Sequence, residues 1–149
     1  MEDILLPSKI ELVPGHTDRE ATLTVEPCFH GYGTTLGNAL RRVLLSSLPG
    51  AAVTAVKIKG AQHEFASLTG VKEDVLEVIL NLKALRMRVF SDEPVRLSLK
   101  IKGEKEVTAA DIETTSDVEI VNPELHIATL TDKKAELEME IFVGRGRGF

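Results

Sequence analysis

Hydrophobic and polar residues alternate with a period of two along most of the chain, which is typical of strands with one buried face. The alternation is clearest over residues 95–101 and 135–141, and shorter runs cover 53–59, 118–120 and 126–130. Turn-forming residues separate these runs. They are Gly103, Asn122–Pro123 and Asp132–Lys133.

Two further extended runs lie near the N-terminus, at residues 9–13 and 21–26. The five residues Pro14–Asp18 between them contain proline, glycine and aspartate, which favour a tight turn. The sequence therefore predicts an antiparallel hairpin here.

A first helix is predicted between the glycine turn at 31–33 and the stop signal Pro49–Gly50. Thr34 or Thr35 is expected to cap its N-terminus. One broad side is apolar at helical spacing. Its positions are Leu36, Ala39, Leu40, Val43, Leu44 and Ser47.

The opposite side of this helix contains Asn38, Arg42 and Leu45, whereas Arg41 flanks the apolar stripe. An arginine beside an exposed leucine is common in protein interfaces. Gly37 lowers helix stability, so its presence indicates close approach of another backbone.

A second helix is predicted over residues 72–83, with apolar positions repeating at three and four. Glu73 and Asp74 are expected in its first turn and Lys83 in its last, and both placements favour the helix dipole. Helices packed on antiparallel strands predict the α+β class.

Composition and charge disfavour several classes of protein. The 149 residues have a formal net charge of -5 and an isoelectric point near 5.4, which disfavours a nucleic-acid clamp. The N-terminus lacks the pattern of a secretory signal, and no apolar run is long enough to span a bilayer. With a single cysteine, Cys28, the chain is expected to be cytoplasmic and soluble.

Candidate chemistry is sparse, and no metal or cofactor is expected. Cys28 and His30 form one possible ligand pair, but the other histidines are scattered at 16, 63 and 126. His63 and Glu64 could form an acid–base pair, yet neighbours in a strand would point to opposite faces.

The glycines at 31, 33 and 37 do not have the spacing of a nucleotide-binding loop. Arg145 and Arg147 fit a glycine-rich loop that leaves a strand better than a nucleic-acid-binding tail.

The glycine turn and first helix, residues 31–50, closely resemble the hallmark helix of bacterial RNA polymerase alpha subunits. Four further blocks match the family in the same order and extend the resemblance over nearly the whole chain. They are residues 63–65, 70–83, 107–112 and 145–148.

The resemblance implies a two-part N-terminal fold, in which a mostly-β domain is inserted into a dimerisation domain. Residues 1–52 would be the first dimerisation segment, a helix on antiparallel sheet that is incomplete here, and residues 53–149 the insertion. Full alpha subunits continue into a second dimerisation segment, a linker and a DNA-binding domain. The chain is therefore expected to be a truncated or split form that exposes apolar surface.

The resemblance also implies a non-catalytic assembly subunit of DNA-directed RNA polymerase in transcription. Nucleotidyl transfer would reside in the large subunits, and this segment would have no catalytic residues and no direct nucleic-acid or membrane contact. Two copies would dimerise through the first helix, at Leu36, Gly37, Leu40, Val43 and Leu44. The beta subunit would contact Arg42, Leu45, His63, Glu64 and Gly70, and beta-prime would contact Lys83.

Two other functions remain open at this stage. A stand-alone alpha-like module could bind polymerase subunits and compete with full-length alpha. An unrelated small enzyme could bind a nucleotide at the glycine turn, and nucleotide binding by the isolated chain would distinguish it.

Overall fold

The computed structural model describes residues 6–17 and 19–148. These residues fall into two compact units, the first ending at Leu48 and the second running from Pro49 to Gly148. The first unit contains two strands and one helix. These are β1 (Lys9–Pro14), β2 (Ala21–Glu26) and α1 (Tyr32–Ser46).

The second unit contains seven strands, one α-helix and a short 3-10 helix at Ala109–Asp111. All strand pairings are antiparallel, and the predicted α+β class is confirmed. Its elements are β3 (Pro49–Ile58), α2 (Val75–Lys83), β4 (Met87–Val89), β5 (Val95–Lys102), β6 (Lys105–Thr108), β7 (Val118–Ile120), β8 (His126–Leu130) and β9 (Glu136–Arg147). The predicted domain boundary, after residue 52, falls inside β3.

The predicted N-terminal hairpin is confirmed. Strands β1 and β2 pair in antiparallel register from Lys9 opposite Glu26 to Pro14 opposite Ala21. The Gly15 N–H donates to the Glu20 carbonyl at 2.7 Å and so closes the turn, while Asp18, predicted in this turn, lies outside the described residues. Because directly opposed residues share a face, Leu12 and Leu23 give the hairpin an apolar side.

Helix α1 begins earlier than the sequence predicted. Gly31 is its N-cap with a φ of 82°, and no side chain caps the helix. The prediction that Thr34 or Thr35 caps it is therefore wrong. Glycine adopts this left-handed conformation without steric cost, so the backbone turn alone starts the helix and leaves both threonines inside it.

Strand β9 is the central strand of a three-stranded sheet in the second unit, with β3 on one side and β5 on the other. It continues to Arg147, which lies opposite Pro49 of β3. The prediction of a glycine-rich loop at Arg145 and Arg147 is therefore wrong. Pairing with a neighbouring strand keeps this stretch extended despite its glycines.

Helix α2 begins at Val75, three residues later than predicted. The Asp74 carboxylate caps it by accepting the Glu77 N–H at 2.7 Å. Asp74 therefore stands at the cap rather than in the first turn, and Glu73 lies outside the helix. The predicted last-turn position of Lys83 is confirmed.

The hydrophobic core lies in the second unit, between α2 and the sheets. Eleven of its larger side chains are almost fully buried. They are Leu82, Leu97, Leu99, Ile127, Leu130, Leu137, Met139, Ile141, Val78, Val107 and Val143. Among the described residues of the first unit, by contrast, no side chain is buried.

Candidate functional site

The apolar stripe of α1 is exposed to solvent. Leu40, Val43 and Leu44 are 44%, 53% and 60% exposed, and Leu36 is half-buried. An exposed run of this kind on a helix is typical of a surface that another protein covers. The structure thus leaves the predicted dimer stripe accessible.

Gly37 lies within α1 beside this stripe. A Cβ atom built at Gly37 would meet no atom within 4 Å. Contacts within the described part of the chain therefore do not require glycine here, although glycine destabilises a helix interior by about 1 kcal/mol relative to alanine. No such approach occurs within residues 6–17 and 19–148, so the close approach expected at Gly37 stays a prediction.

Arg42 and Leu45 lie three residues apart in α1, a spacing that places them on the same side of a helix. Leu45 is 61% exposed and Arg42 is also exposed. Within residues 6–17 and 19–148, Arg42 forms no ion pair. Both side chains are available to a partner.

His63 and Glu64 follow β3 in the second unit, where they occupy a bend and a turn. The expectation that they are strand neighbours is therefore wrong, because β3 ends at Ile58 and Gly60 takes a left-handed φ of 89°. Both are exposed, and they line a shallow surface depression together with Val75 and Ile79.

The same turn exposes a residue that the sequence analysis did not select. Phe65 is 76% exposed, directly after Glu64. Aromatic side chains are enriched in protein interfaces. The available signal was a lone aromatic residue in a polar segment between two predicted elements.

Gly70 occupies a position that only glycine fits well. Its φ is +77°, and a Cβ atom would lie 2.7 Å from the Ala135 Cβ. Its carbonyl accepts the Thr131 N–H at 2.9 Å. These contacts give Gly70 a structural role that is independent of any partner.

Lys83 ends α2 and is exposed. Leu76 and Leu80 precede it at helical spacing and are 37% and 56% exposed. Residues three, four and seven positions apart share one side of a helix. Lys83 therefore belongs to a mixed apolar and basic surface on α2.

Glu73 is buried, with 6% of its surface exposed, and was wrongly predicted in the first turn of α2. Its Oε2 accepts the Thr129 N–H at 2.6 Å, and its Oε1 accepts the Thr129 hydroxyl at 2.9 Å. His126, which the sequence left as an isolated histidine, places Nε2 3.0 Å from the same Oε1. Glu73 is more than fifty positions away from His126 and Thr129 in the sequence, and the fold brings the three residues together.

Burial raises the pKa of the Glu73 carboxyl, because the charged form loses hydration. The hydrogen bonds from the Thr129 N–H, His126 and the Thr129 hydroxyl lower the pKa by more, and the net pKa lies below its ordinary value. Glu73 is therefore ionised at neutral pH.

Within the described ranges, 6–17 and 19–148, no group of three or more histidine, cysteine or acidic residues is placed to hold a metal ion. No helix there combines the length and the apolar character that crossing a membrane would require.

The sequence is similar to those of known proteins. The family model of the RNA polymerase Rpb3/RpoA insert domain matches residues 56–149. A protein of Symbiobacterium thermophilum named DNA-directed RNA polymerase subunit alpha is 60% identical over 142 residues, which are 95% of this chain and 45% of that protein. A Roseiflexus protein of the same name is 51% identical over 149 residues, 100% of this chain and 46% of that protein.

The chain therefore spans about half the length of the curated relatives that it matches. Its mixed fold, with two helices and mostly antiparallel strands, is consistent with the N-terminal fold of those relatives. The match covers both units, since the Roseiflexus alignment runs over the whole chain.

Proposed function

Because the chain belongs to the family of the RNA polymerase Rpb3/RpoA insert domain, we propose that it serves as an assembly subunit of a bacterial DNA-directed RNA polymerase in transcription. It dimerises and recruits the beta and beta-prime subunits, and nucleotidyl transfer takes place in those large subunits. The observation that supports this proposal best is the exposed apolar surface of the first unit. The relatives named as polymerase alpha subunits indicate which partners would cover it.

The dimer contact in this proposal is the stripe of α1, comprising Leu36, Gly37, Leu40, Val43 and Leu44. The described residues of the first unit bury no side chain, so the unit lacks a core of its own. Covering exposed leucine and valine surface contributes about 25 cal/mol for each Å² removed from water. A second copy of the same helix supplies a surface of matching character.

We expect Gly37→Ala to weaken dimerisation about tenfold, because a methyl group would keep the two backbones apart. The same change should raise the helicity of the monomer, since alanine is the better helix former by about 1 kcal/mol. Sedimentation equilibrium measures the first effect and far-UV circular dichroism the second.

Asn38→Ala is the matched control for that experiment. It also raises helix propensity, but on the side of α1 away from the stripe. Its dimer affinity should equal that of the wild type. Unchanged dimerisation of Gly37→Ala would contradict the assignment of the stripe.

The beta contact in this proposal has two parts, one in each unit. Arg42 and Leu45 supply an exposed cation and an exposed apolar group on α1. The second part lies in the segment between β3 and α2 and comprises His63, Glu64 and Gly70. Exposed Phe65 of the same segment adds an aromatic anchor. Lys83, with Leu80, supplies the beta-prime contact on α2.

We expect Arg42→Ala to lower the affinity for the beta subunit at least tenfold, equivalent to about 1.4 kcal/mol. Arginine anchors in interfaces commonly cost this much or more when they are truncated. The measurement is binding of the full 149-residue chain to immobilised beta subunit, with circular dichroism to check that α1 is retained.

Arg41→Ala is the matched control, because it makes the same chemical change one residue away on a different side of α1. It should bind beta like the wild type. Equal affinity for the Arg42 variant and the wild type would sink the assignment of Arg42 as a beta contact.

A further inference from the structure

The segment between β3 and α2 is fastened to β8 by hydrogen bonds. The Lys72 N–H donates to the Thr129 carbonyl at 2.9 Å, and the Thr131 N–H donates to the Gly70 carbonyl at 2.9 Å. Val71 and Leu130 form an isolated antiparallel bridge between these bonds. The position of residues 70–72 on the surface thus depends on this attachment, while the Ala66 carbonyl accepts the Val75 N–H at the start of α2.

The buried side chain of Glu73 adds further hydrogen bonds to this attachment. It is the one charged residue that is buried within residues 6–17 and 19–148, and both of its oxygens are bonded to β8. An ionised carboxylate at such a site is tolerated because each oxygen accepts hydrogen bonds. Removing those bonds would leave a buried charge without partners.

His126 lies between two carboxylates. Its Nε2 is 3.0 Å from Glu73 Oε1, and its Nδ1 is 3.1 Å from Glu106 Oε1 on β6. Ionised carboxylates only accept hydrogen bonds, and only the protonated imidazolium donates from both ring nitrogens. In the neutral ring one nitrogen has no hydrogen, so its lone pair points at a carboxylate oxygen and no hydrogen bond forms there.

Two of the charged residues next to Glu73 and Glu106 in the sequence have partners elsewhere. Lys105 of β6 pairs with Asp111, and the Asp74 carboxylate accepts the Glu77 N–H as the cap of α2. The Lys72 side chain is exposed. Within the described residues, Glu73 and Glu106 are the two charged groups within hydrogen-bond distance of the His126 ring.

We propose that protonated His126, with Glu73 and Glu106, forms a pH-dependent latch that positions residues 63–70 for the beta subunit. The latch closes when the imidazole is protonated, because both ring nitrogens then donate to carboxylate oxygens, and it loosens when the ring loses one of these protons. Glu73 and His126 are positioning residues, since they act through the segment that presents His63, Glu64 and Phe65. The beta-binding part of this inference rests on the proposed function.

The first test needs no partner. Hydrogen exchange of the full 149-residue chain is measured at pH 5.5 and pH 8, and protection factors are corrected for the intrinsic effect of pH on exchange. Protection of the Lys72, Thr129 and Thr131 amides should fall several-fold at the higher pH. In His126→Gln, whose side chain cannot titrate, protection of these amides should not change with pH.

Two further variants make this test specific. Glu106→Gln gives Nδ1 an amide partner in place of a carboxylate at an exposed position, so the pH dependence should shrink. His16→Gln removes a histidine of the first unit and should keep the wild-type response. The same protection at both pH values in the wild type, or an unchanged pH response in His126→Gln, would overturn the latch.

The second test measures the affinity of the chain for the beta subunit at both pH values. The ratio of wild-type to His126→Gln affinity should change between pH 5.5 and 8 in parallel with amide protection. A constant ratio would overturn the positioning role. If exchange behaves as expected but the wild type does not bind beta at either pH, the proposed partner is wrong and the latch stands.

Discussion

Leu99→Ala is expected to lower the free energy of unfolding of residues 49–148 by about 3 kcal/mol. Leu99 lies on β5 opposite Met139 of the central strand, and its side chain is fully buried. Truncation removes apolar contacts from a closely packed interior and leaves a cavity that the surrounding strands fill only in part. Urea unfolding followed by far-UV circular dichroism measures the loss.

The matched control is Leu80→Ala, the same substitution on the exposed side of α2, where the side chain is 56% exposed. It should change the free energy of unfolding by less than about 0.5 kcal/mol. If both variants lost the same stability, the core between α2 and the sheets would not be what holds the second unit together.

Gly70→Ala should be comparably damaging, with a loss of about 3 kcal/mol. A left-handed backbone costs an L-residue roughly 1–2 kcal/mol. In addition, the new Cβ would lie 2.7 Å from the Ala135 Cβ, so the chain must shift to admit it. Overpacking of this kind costs about 1–3 kcal/mol.

Gly103→Ala separates the two contributions to that loss. Gly103 also has a left-handed φ, +87°, but the nearest atom to an added Cβ is the Lys133 carbonyl oxygen at 3.8 Å. It should lose only the backbone part, about 1–2 kcal/mol. Equal losses at the two glycines would show that the contact with Ala135 is relieved at little cost.

The stability of Gly70→Ala also affects how a loss of beta binding in this variant is interpreted. A substitution there disturbs the hydrogen bonds that fasten residues 70–72 to β8, so weaker binding of beta would follow without any direct contact. The proposed beta contact at Gly70 therefore requires a binding loss larger than that of a variant with the same stability.

The strands were predictable where one face is buried. The alternation at 126–130 gave β8 with the bounds that the structure has, and β5 extends only one residue beyond its prediction. Two short strands were missed, β4 with three residues and β6 with four, because such runs show little periodicity. The three-residue strand β7 was nevertheless predicted with its observed bounds.

Two of the errors at element ends share a physical cause, which is that residues distant in sequence decide where the element ends. Arg147 stays extended because Pro49 lies opposite it, and Glu73 leaves the helix because Thr129 and His126 bind its carboxylate. Neither partner is close in sequence. Local propensity is overridden in such cases.

The candidate site was predictable only in part. Helical spacing alone separated the stripe of α1 from the side with Arg42 and Leu45, and the structure has both sides exposed. The latch could not be predicted, because Glu73, Glu106 and His126 come from three segments that meet only in the fold. Which subunit each surface receives rests on the family resemblance.

Sedimentation velocity of the chain mixed with purified beta subunit shows whether the chain is an assembly subunit. We expect one complex that contains two copies of the chain and one beta subunit. A folded chain that sediments separately from beta at micromolar concentrations of both would contradict it.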